Sequence, residues 1–298
     1  MQEGKTKKKL IYVMGCGRSG TTILGVALGN GHRCLDLGEA VDFLKRKGVP
    51  NSYGPETKTG QFWGVVTTCV VDQKEDIFDE RLVNQLTSLE RHNRFPLTFL
   101  GLNKRSALLD YSTYINSLYS CISKNSEDTS VYIDSSKYPG RALLLFSSLR
   151  NFDVCILHIV SHPAEVIESF GDKRKRDYQD QGYKGYMSAN FYYFVVNLFC
   201  SAVRLRVSNR KYLKIRYEDL LRMPRETLGK IASKFEIDLQ KVSDRIDKNE
   251  PLRKGFIFNG NRLSMGKDTE LTLKKSGKLA FDRTIKNAVV ILINRVWY

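Results

Sequence analysis

Eight residues, Gly15-Cys16-Gly17-Arg18-Ser19-Gly20-Thr21-Thr22, have the types and spacing to hold a phosphate-like anion. An apolar run at residues 10–14 precedes them, and an amphipathic segment with Ile23, Leu24, Val26, Ala27 and Leu28 follows. A glycine-rich turn between strand and helix aims backbone N–H groups at an anion, with the positive end of the helix dipole behind them. The spacing fits G-x-x-x-x-G-K-[ST], except that Thr21 stands where the lysine belongs. Nucleotide triphosphatases use that lysine on the β- and γ-phosphates and the next hydroxyl on Mg²⁺. Here the cation is Arg18, inside the loop. Such a loop suits a phosphate-like group other than a triphosphate tail.

Further polar groups close other apolar runs. Ser135-Ser136-Lys137 follows residues 131–134, Ser161-His162 follows residues 154–160, and Glu218-Asp219 follows residues 212–217. These runs are rich in β-branched and apolar residues and read as buried parallel strands. Helices are expected at residues 21–29, 40–47, 76–92, 104–123, 140–149, 163–170 and 190–207, with another after Pro224. Proline at the start of three of these segments suits a first helical turn. Residues 49–74, with Pro50, Gly54, Pro55, Gly60 and Gly64, read as loop, as do residues 178–186. Alternating strands and helices imply α/β architecture, a central parallel β-sheet flanked by helices. One domain is expected over residues 1–298, with residues 1–9 a basic N-terminal tail. Ligands gather at the carboxyl ends of strands in such sheets, so the four polar strand ends should form one crevice.

Composition narrows the partners. The hydrophobic fraction of 42% and charged fraction of 27% are ordinary for a globular protein, but the net charge of +16 favours anionic partners. The basic residues are dispersed, with short clusters at residues 7–9 and 173–176 that read as solvated faces. No RNA-binding aromatic motif or zinc-finger spacing occurs, so no nucleic-acid partner is expected. The six cysteines are scattered without C-x-x-C, and Cys155 and Cys200 lie in apolar surroundings as core residues. That pattern is read as lacking a disulfide framework, in a reducing compartment. No signal peptide is evident at the N-terminus, and no apolar run is long enough to span a bilayer, so a cytoplasmic location is expected. The four histidines lack metal-ligand spacing.

With these residues in view, the chain resembles the P-loop sulfotransferases that use 3′-phosphoadenosine 5′-phosphosulfate. The resemblance runs from Leu10 to about Arg262. Gly17-Arg18-Ser19-Gly20-Thr21-Thr22 is similar to the family's 5′-phosphosulfate loop, and the stretch ending in Asp134-Ser135-Ser136-Lys137 to a strand-end motif of bacterial and Golgi-type members. Pro163 through Ser169 is similar to the 3′-phosphate element, Tyr217-Glu218-Asp219-Leu220 with Pro224 to a stretch near the adenine, and Gly260-Asn261-Arg262 to a late cofactor-contacting loop. The resemblance implies that Gly17, Arg18, Ser19, Gly20, Thr21, Thr22, Ser169, Tyr217 and Arg262 bind the donor. It also implies that Lys137 neutralises the leaving oxygen and that no metal is needed. The resemblance implies a hydroxyl compound as acceptor, with a saccharide the first choice because the motifs resemble the bacterial and Golgi-type members, and a lipid, natural product or protein tyrosine as alternatives.

The base is less directly marked. Small-molecule cytosolic members carry a histidine just beyond the lysine, whereas this chain has Tyr138-Pro139. Leu37-Gly38-Glu39 resembles the glutamate-bearing stretch of tyrosylprotein sulfotransferases, which selects Glu39 as general base with His92 in reserve. Read without the resemblance, Glu39 equally serves to favour the start of the following helix. The family's 3′-phosphate element begins with arginine, but Ser161 holds that place here, and a serine does not supply the arginine's charge. Arg262, His162 or residues 173–176 must compensate, or the donor binds more weakly. Two other readings stay open: a degenerate sulfotransferase fold that binds a nucleotide or polyanion without catalysis, and a P-loop phosphotransferase, which Thr21 disfavours.

Overall fold

The computed structural model describes residues 7–51, 53–171, 182–260, 270–272 and 294–298. The strands of its main sheet are β1 (Lys8–Met14), β2 (Cys34–Asp36), β3 (Val131–Lys137), β4 (Phe152–Val160) and β5 (Tyr212–Arg216). They form one parallel sheet in the order β2-β3-β1-β4-β5. The α-helices are α1 (Thr21–Gly29), α2 (Lys58–Gln73), α3 (Glu80–Glu90), α4 (Phe95–Leu100), α5 (Arg105–Lys124), α6 (Pro139–Ser148), α7 (Pro163–Gly171), α8 (Gly182–Val203), α9 (Tyr217–Arg222), α10 (Pro224–Phe235) and α11 (Gln240–Asp247).

Side-chain alternation along the strands builds two cores. Leu10, Tyr12 and Met14 of β1 face a layer that includes α2, α3, α5, α6 and α8. Ile11 and Val13 face α1, α10 and α11. A strand covered on both faces reads as a continuous apolar run, which is why β1 and β4 are legible as buried strands.

The sequence expectations need several corrections. Residues 49–74 are not mainly loop, because α2 occupies Lys58–Gln73. Thr57 caps it, its Oγ1 accepting from Gly60 N at 3.0 Å, and Phe62, Trp63, Val66 and Val70 form its buried stripe. Gly60 is required there by packing, since a Cβ would stand 2.1 Å from the Gly54 carbonyl oxygen. The two glycines masked a helical period that was present. Residues 40–47 form only a 3₁₀ turn, Ala40–Asp42, followed by turns. The helix expected over 76–92 begins at Glu80, where Asp79 caps it through Arg81 N and Leu82 N. The long helix α8 starts at Gly182, inside the expected loop, and ends at Val203. Lys8 and Lys9 belong to β1 rather than to a tail.

One disulfide is present, Cys69–Cys121, joining α2 to α5 with 5.8 Å between Cα atoms. The expectation of no disulfide is therefore corrected. The two cysteines lie 52 residues apart, so only the packing of these two helices brings them together. Cys155 and Cys200 are buried free thiols. Among the described residues no helix is long and apolar enough to cross a membrane.

Candidate active site

The turn after β1 delivers its donors by taking two left-handed residues, Arg18 (φ 69°) and Gly20 (φ 82°). Ser19 N donates to Cys16 O at 3.2 Å, and Leu24 N to Gly20 O at 3.0 Å, so the turn runs directly into α1. A Cβ on Gly20 would stand 2.2 Å from the Tyr217 ring, so only glycine lets that ring close over the loop. A cavity of about 160 Å³ results, lined by Arg18, Gly20, Thr21, Thr22, Ile23, Ser169 and Tyr217. The turn after β1 and the helices α1, α7 and α9 that follow β1, β4 and β5 thus bring six of the nine expected donor residues together. Ser19 and Thr22 are buried, and their hydroxyls have no protein partner. Orphaned hydroxyls beside a helix N-terminus fit an oxygen-rich anion, since buried polar groups are otherwise paired. Gly17 does not line the cavity; a Cβ there would meet Phe170 at 3.4 Å.

Ser161 does not face this cavity as an open hydroxyl. It is buried, its Oγ donates to Glu218 Oε1 at 2.8 Å, and His162 N donates to the same oxygen at 2.7 Å. Tyr193 OH donates to Ser161 O at 2.7 Å. Arg262 and residues 173–176 lie outside the described residues.

Lys137 ends β3 in a left-handed conformation, φ 76°, and Gly15 N donates to its carbonyl at 3.4 Å. The second candidate centre is therefore tied to the anion loop by backbone. Lys137 Nζ contacts Glu39 Oε1 at 2.5 Å, and the side chains are 15% and 14% exposed. Sequence reasoning expected both residues; the structure makes them an ion pair.

The Glu39 turn is held from several sides. Glu39 N donates to Asn259 O at 2.8 Å, and Ser135 N donates to Gly38 O at 2.8 Å. Val41 N donates to Ser136 Oγ at 3.0 Å, and Gly38 N to Asp36 Oδ1 at 3.0 Å. Gly38 has φ 65°, and a Cβ on it would strike Ile257. Burial pushes the Asp36 carboxyl up to about 8. Beneath the same strand end lies a sealed network. Arg141 donates through Nε and Nη2 to Asp134 Oδ2 at 3.2 and 3.1 Å, and through Nη1 to Glu90. Tyr119 OH adds a bond to Asp134 Oδ2 at 2.6 Å, and Tyr111 OH one to Glu90 Oε1 at 2.7 Å. Asp134 Oδ1 accepts from Ser136 N at 3.0 Å, which continues the network to the Glu39 turn.

Sequence reasoning missed Asp36, Glu90 and Arg141. The available signal was their charge within or beside apolar runs, since buried charges are usually paired. His92, the reserve base, stacks on Tyr138, with ring centroids 4.8 Å apart. Burial pushes its imidazole down to about 4, so it stays neutral at pH 7.

Such a site can grip an oxyanion with the loop amides and Arg18, and present a cation and a carboxylate beside it. Among the described residues no group of three or more His, Cys, Asp or Glu is placed to hold a metal ion.

The family model described as "Sulfotransferase family" matches residues 11–241. Among curated proteins no relative matches the chain. Similar solved structures include the sulfotransferase domain of the Synechococcus PCC 7002 olefin synthase, with TM-score 0.50, 18% identity, and 100% of this chain and 98% of that one covered. The sulfotransferase domain from the curacin biosynthetic pathway gives TM-score 0.53 and 13% identity, covering 96% of each chain. A Mycobacterium tuberculosis sulfotransferase gives TM-score 0.50 and 16% identity, covering 80% and 70%. At these identities the likeness concerns the fold.

Proposed function

Because the chain belongs to the sulfotransferase family, we propose that it moves a sulfuryl group from 3′-phosphoadenosine 5′-phosphosulfate to an acceptor hydroxyl on a saccharide. The observation that carries this reading is the convergence of Arg18, Gly20, Thr21, Thr22, Ser169 and Tyr217 on one cavity, with the Lys137–Glu39 pair tied to its loop.

The donor supplies an activated sulfuryl group on a phosphate. The Gly17–Thr22 loop, Arg18 and the α1 N-terminus hold that group, Ser19 and Thr22 supply hydroxyls, and the Tyr217 ring offers a face to the base. As the acceptor oxygen bonds to sulfur, the sulfur–oxygen bond to phosphate breaks and charge grows on the departing oxygen. Lys137 donates to that oxygen, and Glu39 takes the proton from the acceptor hydroxyl. In the structure the two groups satisfy one another at 2.5 Å. Turning Lys137 toward the donor frees the Glu39 oxygen to act as a base.

The test is isothermal titration with adenosine 3′,5′-bisphosphate in excess EDTA, followed by an assay of labelled sulfate transfer to saccharides. Saturable, metal-independent binding and transfer support the proposal. Binding that requires Mg²⁺, or no binding, overturns it in favour of a phosphotransferase or an unrelated ligand.

A further inference from the structure

The proposed transfer reaction needs an acceptor site beside Lys137 and Glu39, and the residues around that pair have a definite chemistry. Tyr138 follows Lys137 directly and is the N-cap of α6. Its carbonyl is pinned by Tyr12 OH at 2.9 Å, and its half-buried ring lies against His92 at an interplanar angle of 30°. Tyr192 meets His92 edge-on at 5.7 Å, and Phe170 meets Tyr192 at 5.8 Å. Phe170 in turn lies against Gly17 of the anion loop. A continuous aromatic wall therefore runs from the anion loop to the residue after Lys137.

The second group around the pair is polar and uncharged or acidic. Asp42 lies one short turn beyond Glu39, and its Oδ2 accepts from Asn259 Nδ2 at 2.5 Å. Asn259 Oδ1 accepts from Asn51 Nδ2 at 3.2 Å and from Gly260 N at 2.9 Å. The Asn259 carbonyl is the one that holds Glu39 N. Asp42 and Glu39 both act on the Tyr138 hydroxyl, which burial and these carboxylates hold above the usual phenol range. Glu90 adds to this in the same direction but is already paired with Arg141, and Arg91 opposes it. Glu39 is paired with Lys137 and Glu90 with Arg141, which leaves Asp42 as the carboxylate here held by an amide rather than by a cation, in a chain that carries +16 overall.

From this juxtaposition we propose that Tyr138, with His92 behind it, and Asp42, with Asn259 behind it, form the acceptor subsite, and that it takes a neutral, hydroxyl-rich sugar ring. The wall stacks on the ring's C–H face. The carboxylate and amides accept and donate to its hydroxyls. An acceptor already carrying carboxylate or sulfate at the ring facing Asp42 and Glu39 meets like charge, which is strongly discriminated against in a partly dry site. The basic surface elsewhere then serves the anionic donor rather than a polyanionic acceptor.

This proposal rests on the sulfuryl-transfer reading, so the experiment separates the two. Wild type, Asp42→Asn, Tyr138→Phe and Tyr138→Ala are first titrated with adenosine 3′,5′-bisphosphate. Each is then assayed for transfer to neutral 4-nitrophenyl hexosides, to the corresponding 4-nitrophenyl uronides, and to 2-naphthol. The expected wild-type result is a preference for hexoside over uronide of about tenfold or more in kcat/KM. Asp42→Asn should narrow that ratio toward unity, chiefly by lowering KM for the uronide. Tyr138→Ala should raise hexoside KM about tenfold, with Tyr138→Phe close to wild type, and all variants should bind the nucleotide normally. A wild-type preference for uronide or naphthol, an unmoved ratio in Asp42→Asn, or no transfer to any hexoside by a nucleotide-binding protein overturns the neutral-sugar subsite. Failure of the wild type to bind the nucleotide overturns the transfer reading itself.

Discussion

Two ion-paired clusters flank the end of β3 and differ chiefly in their access to solvent. Arg141, Asp134 and Glu90 are sealed, with side chains 0%, 0% and 5% exposed. Lys137 and Glu39, only a few residues away, keep 15% and 14%. The sealed cluster spreads its charge over several partners, including two tyrosine hydroxyls, and nothing entering from solvent can compete for them. The half-open pair has one mutual contact, and an incoming oxyanion or hydroxyl can replace it. Charges fixed on both sides hold a strand end in place, whereas charges fixed on one side are available for chemistry. The sealed cluster also reaches the Glu39 turn through Asp134, Ser136 and Val41, so the first region orients the second.

The comparison breaks most visibly if Arg141 is removed. Arg141→Ala should destabilise the fold by about 3–5 kcal/mol, because Asp134 and Glu90 are left buried and uncompensated. Denaturant unfolding measures it, and a loss near zero would mean the cluster is not what anchors the strand. Lys137→Ala should do the reverse. Turnover at saturating donor should fall about 10²–10³-fold, while stability falls by less than in Arg141→Ala, whose partners are fully sealed. Equal losses in turnover and in affinity for adenosine 3′,5′-bisphosphate would demote Lys137 to a binding residue.

A smaller effect is expected on the anion side. Gly20→Ala places a Cβ on a residue at φ 82° and against the Tyr217 ring. Donor-product affinity should drop about tenfold, from backbone strain and displacement of the ring. Unchanged affinity would show that Tyr217 and the loop do not act together.

A pH-dependent effect is expected at Asp36, the buried carboxyl that holds the Glu39 turn. Its folded value, about 8, lies above the ordinary aspartate value of 3.8, so the folded state holds the proton more tightly. Its contribution is fully present below the unfolded value and is lost as pH rises toward 8, so stability falls across that window. Asp36→Asn should remove this slope, so the variant gains stability relative to the wild type as pH rises from 4 to 8. Parallel pH–stability curves for the two proteins would contradict the assignment.

The parts legible in the sequence are those that local chemistry dictates. The β1 turn, α1 and the polar ends of β3, β4 and β5 can be read from residue type and spacing, because each strand end must expose whatever it presents. The short strand β2 and the helix α2 were not legible in the same way. β2 has only three residues, and Gly60 of α2 answers to its neighbour Gly54 rather than to a turn. Arg141, Asp36 and the Cys69–Cys121 bond acquire their meaning only from partners brought in by packing. The pairing of Lys137 with Glu39 lies between these cases. Both residues could be picked out by motif, but the 2.5 Å contact across 98 positions could not.

The most direct test of the central claim is the turnover of Glu39→Gln with an acceptor that the wild type sulfates, measured at saturating donor alongside titration with adenosine 3′,5′-bisphosphate. The substitution keeps shape and removes basicity. Turnover should fall about 10²–10⁴-fold while nucleotide affinity stays near that of the wild type. Wild-type turnover in Glu39→Gln would contradict the account, leaving the pair at the end of β3 as a structural contact and placing the base elsewhere.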